Sequence, residues 1–133
     1  MLQKIVMRNF GPYYGQNTLK LSEDKGTPVT IVSGPGASGK ATIIRAIRWC
    51  LYGLPVGEIL NSDAKSNAKT GDTISVGVEL YFQHKGKTLA LKRFQSYVRK
   101  VDAVAVANNM ILSINGLECT EDQFLAIADR IVP

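Results

Sequence analysis

The stretch Val29-Thr30-Ile31-Val32-Ser33-Gly34-Pro35-Gly36-Ala37-Ser38-Gly39-Lys40-Ala41-Thr42-Ile43-Ile44-Arg45 decides how this chain is read. It opens on a short β-branched run bounded by Pro28 and Gly34, the mark of a strand buried on both faces of a parallel or mixed sheet. The glycines that follow let successive backbone N–H groups turn toward one anion. Helical spacing then begins: Ile43, Ile47 and Leu51 are four apart, and Ile44, Ala46 and Cys50 widen the stripe. Arg45 and Arg48 fall on the polar side, Trp49 reads as core packing, and Gly53 and Pro55 close the helix. Gly34 and Gly39 hold the two fixed glycines of the pattern GxxxxGK[ST], and Lys40 holds its lysine. Strand, glycine loop and helix in that order are the context the pattern requires. A helix starting near Lys40 brings its positive dipole end to the same anion, and the Lys40 ammonium can reach outer phosphates. The segment 34–40 therefore reads as a phosphate-binding loop.

Ala41 breaks the pattern, which places a Ser or Thr hydroxyl there to ligate Mg²⁺. Alanine has no oxygen to offer. Thr42 follows, but one helical step turns a side chain by about 100°, so Thr42 is expected to reach an inner phosphate instead of the ion. Backbone binding and Lys40 survive the change. Metal placement does not, and hydrolysis is expected to suffer more than binding.

Outward from this loop the chain alternates. Leu2, Ile5 and Met7 among polar neighbours suggest a strand before the Gly11-Pro12 break, and Leu19 with Leu21 suggests a second. Residues 58–71 are polar and rich in Asn, Ser, Ala and Lys, the body of an exposed excursion at 54–72 with room for one short helical turn. Ile74, Val76, Val78, Leu80 and Phe82 form a clean period-two strand, answered by 88–94 across a connection of hairpin length at His84-Lys85-Gly86-Lys87. Residues 101–106 suggest another strand, and 110–114 turns at Asn115-Gly116. Thr120 and Gln123 have capping-box spacing before a helix whose apolar face is Phe124, Ile127, Ala128 and Ile131.

Composition sets the limits. With 133 residues, 45% of them hydrophobic, the chain is long enough for one core. The net charge of +5 leans toward polyanionic partners. Cys50 and Cys119 form no metal-ligand spacing and His84 is the single histidine, so a metal site built by the protein is not expected. The two unpatterned cysteines fit a reducing cytosol, and neither a secretory signal nor a membrane-crossing run is present. A cytoplasmic protein is expected.

Several blocks together resemble the SMC-like ATPases. Ile5-Val6-Met7-Arg8-Asn9-Phe10-Gly11, then Tyr13 and Gly15, is similar to their opening strand with its Asn-Phe pair. Ile31-Val32-Ser33-Gly34-Pro35 and Ser38-Gly39-Lys40 match the next block. Ile43-Ile44-Arg45-Ala46-Ile47 and Leu51-Tyr52-Gly53 match the helix and its end. Val78-Glu79-Leu80-Tyr81-Phe82 and Leu91-Lys92-Arg93-Phe94 resemble the following hairpin. The branch most resembled is the DNA-sulfur-modification ATPase DndD and its relatives in phage defence, to which 127–133 is similar. The resemblance implies an α/β fold: the N-terminal lobe of an SMC/ABC-type P-loop head, with a mixed sheet, the P-loop helix and a β-rich hairpin region. Residues 1–53 would carry strands, loop and helix, 54–72 the excursion, and 73–133 the hairpins and a helix leading toward a coiled coil. It implies ATP with Mg²⁺, a second head as homodimer partner, DNA, and other defence or modification proteins. The lobe carrying the Walker B acids is not in this chain, so no catalytic residue is assigned.

The resemblance implies nucleotide contacts at Gly34, Pro35, Gly36, Ala37, Ser38, Gly39, Lys40, Ala41 and Thr42, with Arg8 and Asn9 as further candidates. Gly36 departs from the family's Asn, and Ala41 from its Ser or Thr. Tyr13 and Tyr14 could stack near a base, though loop packing explains them as well. Lys85, Lys87, Lys92, Arg93, Arg99 and Lys100 form the densest basic run, with Phe94 and Tyr97 interleaved. They are read as DNA candidates against the plainer alternative of a solvated hairpin face. Two other readings stand beside the ATPase: a non-hydrolysing scaffold with a degenerate loop, and a small-molecule kinase, which the Asn-Phe strand argues against. Ala41→Thr is expected to raise Mg²⁺-dependent ATP affinity while leaving Mg²⁺-free affinity unchanged, as read by calorimetry with and without the ion.

Overall fold

A computed structural model of the chain describes residues 2–21, 36–53, 59–106 and 110–131, with backbone alone at 36–40 and at His84. The strand expected at 29–32 lies outside the described residues, as do Gly34, Pro35 and Pro55. Strands β1 (Leu2–Arg8) and β2 (Gln16–Lys20) precede helices α1 (Gly36–Tyr52) and α2 (Ser62–Asn67). Then come β3 (Thr73–His84), β4 (Lys87–Arg99), β5 (Val104–Val106), β6 (Ile111–Ile114), β7 (Leu117–Cys119) and α3 (Glu121–Ile131). The strands form one sheet in the order β2-β1-β3-β4-β6-β7, with β5 also on β4. Every described pairing is antiparallel, so the parallel component of the expected mixed sheet is not seen among the described residues.

The hairpin chemistry explains the register. Lys85 and Gly86 have φ of +51° and +75°, and Asn115 and Gly116 have +50° and +85°. Two residues with positive φ make the tight turn whose twist matches the strands it joins. Around Lys85-Gly86, β3 and β4 pair without slip from His84↔Lys87 to Thr73↔Val98. Strand β5 is shorter than the expected 101–106, because Lys100 N–H donates to Ala103 O (2.7 Å) and spends residues 100–103 on a turn.

Period two then sorts the side chains. Ile74, Val76, Val78, Leu80 and Phe82 face one side, where Ile43, Ala46, Cys50 and Leu51 of α1 and Phe124 and Ala128 of α3 complete a single core. Each large aliphatic chain fully buried there contributes about 1.5–3 kcal/mol. Ile44 does not join it: it is 55% exposed, since one step of about 100° from Ile43 carries it off the sheet-facing stripe. Trp49 packs as expected, its ring centroid 5.6 Å from that of Phe10. The capping box of α3 closes both ways: Thr120 N–H donates to Gln123 Oε1, and Gln123 N–H to Thr120 Oγ1.

One polar side chain stands at the centre of this core. Arg93 of β4 has no exposed surface. Its Nε donates to Cys50 O (2.9 Å), and its two terminal nitrogens donate to the Glu121 carboxylate at 3.2 and 3.0 Å. Its guanidinium carbon lies 5.3 Å from the Phe124 ring centroid. Helix α1 has no basic residue in its own last turn, so Arg93 supplies the cation that complements the helix's negative end. Gly53 ends α1 with φ +65°, and a Cβ there would come within 2.7 Å of Arg93 Nη1. Glycine suits the position on both counts. Arg93→Ala is expected to cost about 3–5 kcal/mol, because it empties a buried site and strands a carbonyl. Arg93→Met, which refills the volume without a charge, is expected to recover most of that loss in the urea midpoint.

Candidate functional site

The described part of the phosphate-loop segment is helical. α1 starts at Gly36, four residues before the expected start near Lys40. The N–H groups of 36–39 are then those of a first helical turn, which have no partner inside the helix. No acidic residue stands in that turn to oppose an anion. Ala41 is exposed and Thr42 is 2% exposed. The Thr42 hydroxyl is within 3.5 Å of Arg45 Nη2, and a Cβ built on Gly11 would sit 3.3 Å from the Thr42 methyl. Thr42 is therefore packed beneath the 9–15 turn. The residue at the expected Mg²⁺ position does not fit the ion, since Ala41 has no donor atom.

That turn ties β1 to α1 and α2. Asn9 takes φ +51°, a left-handed conformation that Asn adopts more readily than most residues. Its Nδ2 donates to Ser75 O (3.0 Å), and its Oδ1 accepts from Gly15 N–H (2.8 Å). Phe10 makes an isolated bridge to Leu60. Asn61, which sequence reasoning did not single out, caps α2 through its Oδ1 and donates from Nδ2 to Gly11 O (2.8 Å). Its place before Ser62-Asp63 carries an N-cap signal that could have found it. Arg8 donates to Gln16 Oε1 on the neighbouring strand.

Arg8, Asn9, Tyr14, Asn67, Asp72 and Ser75 line part of a polar cleft of about 460 Å³ beside this turn. Tyr14 stands at its rim, 54% exposed, with its hydroxyl oxygen accepting from Asn67 Nδ2 (3.3 Å). The two sequence candidates on β1 and the start of α1 are thus connected through one turn. Arg8 borders the cleft. Asn9 lines it too, but both ends of its amide already hold backbone.

The basic run is taken apart by the fold. Lys87 and Arg99 sit at opposite ends of β4, roughly 40 Å apart at strand rise. Arg93 is withdrawn from the surface set, because β4 turns it inward onto α1 and α3. Lys92 faces the opposite side and pairs with Glu79 at 3.5 Å. Lys85, Lys87 and Lys100 are exposed and Arg99 half-buried, with the hairpin lysines far from the other two. Density along a strand is not density on a surface, since neighbours alternate faces.

Both thiols sit above their ordinary range. Burial pushes Cys50 up to about 12 against the pull of Arg93, and burial with Glu121 nearby raises Cys119. Among the described residues no group of His, Cys, Asp and Glu could hold a metal ion, and no helix is long and apolar enough to cross a membrane.

The sequence also matches known proteins. Residues 4–130 match the family described as the AAA domain. Over 97 residues the chain is 29% identical to the SbcC component of the nuclease SbcCD of Treponema pallidum (strain Nichols), covering 66% of this chain and 9% of that protein. The chain thus spans less than a tenth of that relative. Asn9→Ala is expected to destabilise the fold by about 1 kcal/mol more than Asn9→Gly, because both lose the amide's hydrogen bonds but only alanine resists the left-handed backbone. Paired thermal melts check the difference.

Proposed function

Because this chain belongs to the AAA domain family, we propose that it is the nucleotide-binding N-terminal lobe of an SMC-like ATPase that acts on DNA. One observation carries the reading. The glycine-lysine sequence 34–40 runs into α1, and α1 packs through Thr42 beneath the turn that follows Arg8 of β1 and begins at Asn9. Backbone N–H groups and the helix dipole would hold the phosphates, Lys40 would reach the outer ones, and the polar cleft at Arg8 would take the part of the nucleotide beyond them. The similarity to a component of a nuclease supports DNA as the partner of the whole protein. On the finer scale we place the chain in the DndD branch, in DNA phosphorothioation or phage defence, with a second head as homodimer partner.

Ala41 sets the quality of the site. With no hydroxyl there, Mg²⁺ loses a protein ligand, and hydrolysis in the complete protein would be weakened more than binding. The same residue favours a second reading, in which the lobe binds nucleotide without turnover and serves assembly with partner proteins.

ATP titration by calorimetry separates these readings. The chain is expected to bind ATP with little dependence on Mg²⁺, and Lys40→Ala is expected to lower affinity at least tenfold, about 1.4 kcal/mol. Binding unaffected by Lys40→Ala, or no binding by the unaltered chain, counts against the nucleotide site.

A further inference from the structure

The sheet face turned away from α1 and α3 carries a basic cluster that the sequence order hides. Lys4 of β1 is directly opposite Lys20 of β2 and, on its other side, opposite Tyr81 of β3. The Lys4 ammonium lies 4.3 Å from the Tyr81 ring centroid, and the Lys92 ammonium lies 5.9 Å from it on the other flank. Two lysines thus flank one aromatic ring, and Lys20 stands beside Lys4 one strand further out. The carboxylate at the cluster, Glu79, is shared by Lys92 (3.5 Å) and the Tyr81 hydroxyl (2.5 Å). The other acid that shares this face among the described residues is Glu118, opposite Ser113 on β7, four strands from β1 and so roughly 19 Å away.

Like charges directly opposite on antiparallel strands repel, and among the described residues no carboxylate pairs with Lys4 or Lys20. Together with Gln3, Tyr81 and Thr88 the two lysines line an open depression of about 350 Å³. An anion there would turn the repulsion into attraction. The exposed large apolar side chains lie elsewhere, at Tyr14, Ile44, Val101, Val106, Ile111 and Leu117. Among the described residues the depression therefore has no exposed large apolar side chain to anchor a protein partner or a membrane. Separate ammonium groups on flexible stems, spread over three strands, suit a chain of phosphates better than one enclosed ion.

We propose that Lys4 and Lys20, flanked by Lys92 and Tyr81, form a binding site for the phosphodiester backbone of a nucleic acid. It rests on the DNA-directed part of the reading above and is independent of the nucleotide site. The test measures binding of a labelled single strand and a labelled duplex to the full chain between about 50 and 200 mM salt. The unaltered chain binds, with affinity falling as salt rises. The double variant Lys4→Gln, Lys20→Gln loses about 1.4–1.8 from the log–log salt slope, the share of two phosphate contacts. Lys85→Gln, Lys87→Gln leaves the slope in place. Lys20→Gln alone raises the urea midpoint of the free chain, because the repulsion is gone. At matched ionic strength unlabelled DNA displaces the probe and inorganic phosphate does not. No binding by the unaltered chain, a slope unmoved by the Lys4 and Lys20 changes, or displacement by phosphate overturns the site. If the slope instead falls only with the Lys85 and Lys87 changes, DNA binding stands and the sheet-face site fails.

Discussion

The buried guanidinium of Arg93 joins the three parts of the core. It grips the last turn of α1 through Cys50 O, the first turn of α3 through Glu121, and belongs itself to the central strand β4. A charge removed from water survives only when its hydrogen-bonding groups are met, and here a carbonyl, a carboxylate and an aromatic face meet them. The consequence is positional. The far end of α1 is tied to the sheet by a directional contact, while apolar packing of Ile43, Ala46 and Cys50 holds its flank. The start of α1, where the candidate nucleotide site lies, inherits its placement from both.

The other end of α1 is held by a different device. Asn9, Gly11 and Asn61 knit the β1–β2 connection to α2 and leave Thr42 packed underneath. Backbone groups that would be stranded in so tight a turn are met by two asparagine side chains. The turn thereby bridges the strand bearing Arg8 and helix α1. The cost is chemical. Residues that look available in the sequence, Asn9 and Thr42, are occupied in holding that bridge, and Ala41 leaves no hydroxyl for a metal.

Much of the fold was legible because local rules act over a few residues. Alternation from Ile74 to Phe82 named the core face of β3. Lys85-Gly86 and Asn115-Gly116 announced two-residue turns, and Thr120 with Gln123 announced the start of α3. The expected stripe on α1 was right at Ile43, Ala46, Cys50 and Leu51 and wrong at Ile44. Burial of Arg93 was open to the same period-two argument, since it shares a face with Leu91. The adjacent Lys92 and Phe94 obscured it by making the whole segment look basic and amphipathic.

What the sequence by itself determined are the features whose cause is local: strand and helix periods, turn types, the capping box, the glycine-lysine loop and its missing hydroxyl. Tertiary structure alone decided which charged groups meet. It sent Arg93 inward to Glu121, set Lys87 and Arg99 at opposite ends of β4, and brought Lys4 and Lys92, far apart in the chain, to Tyr81 with Lys20 beside Lys4. Electrostatic partnership depends on distance through space and on water exclusion, and neither is written in sequence spacing. The glycine-lysine motif is therefore visible in the sequence, while the basic sheet face emerges only when the sheet has its register.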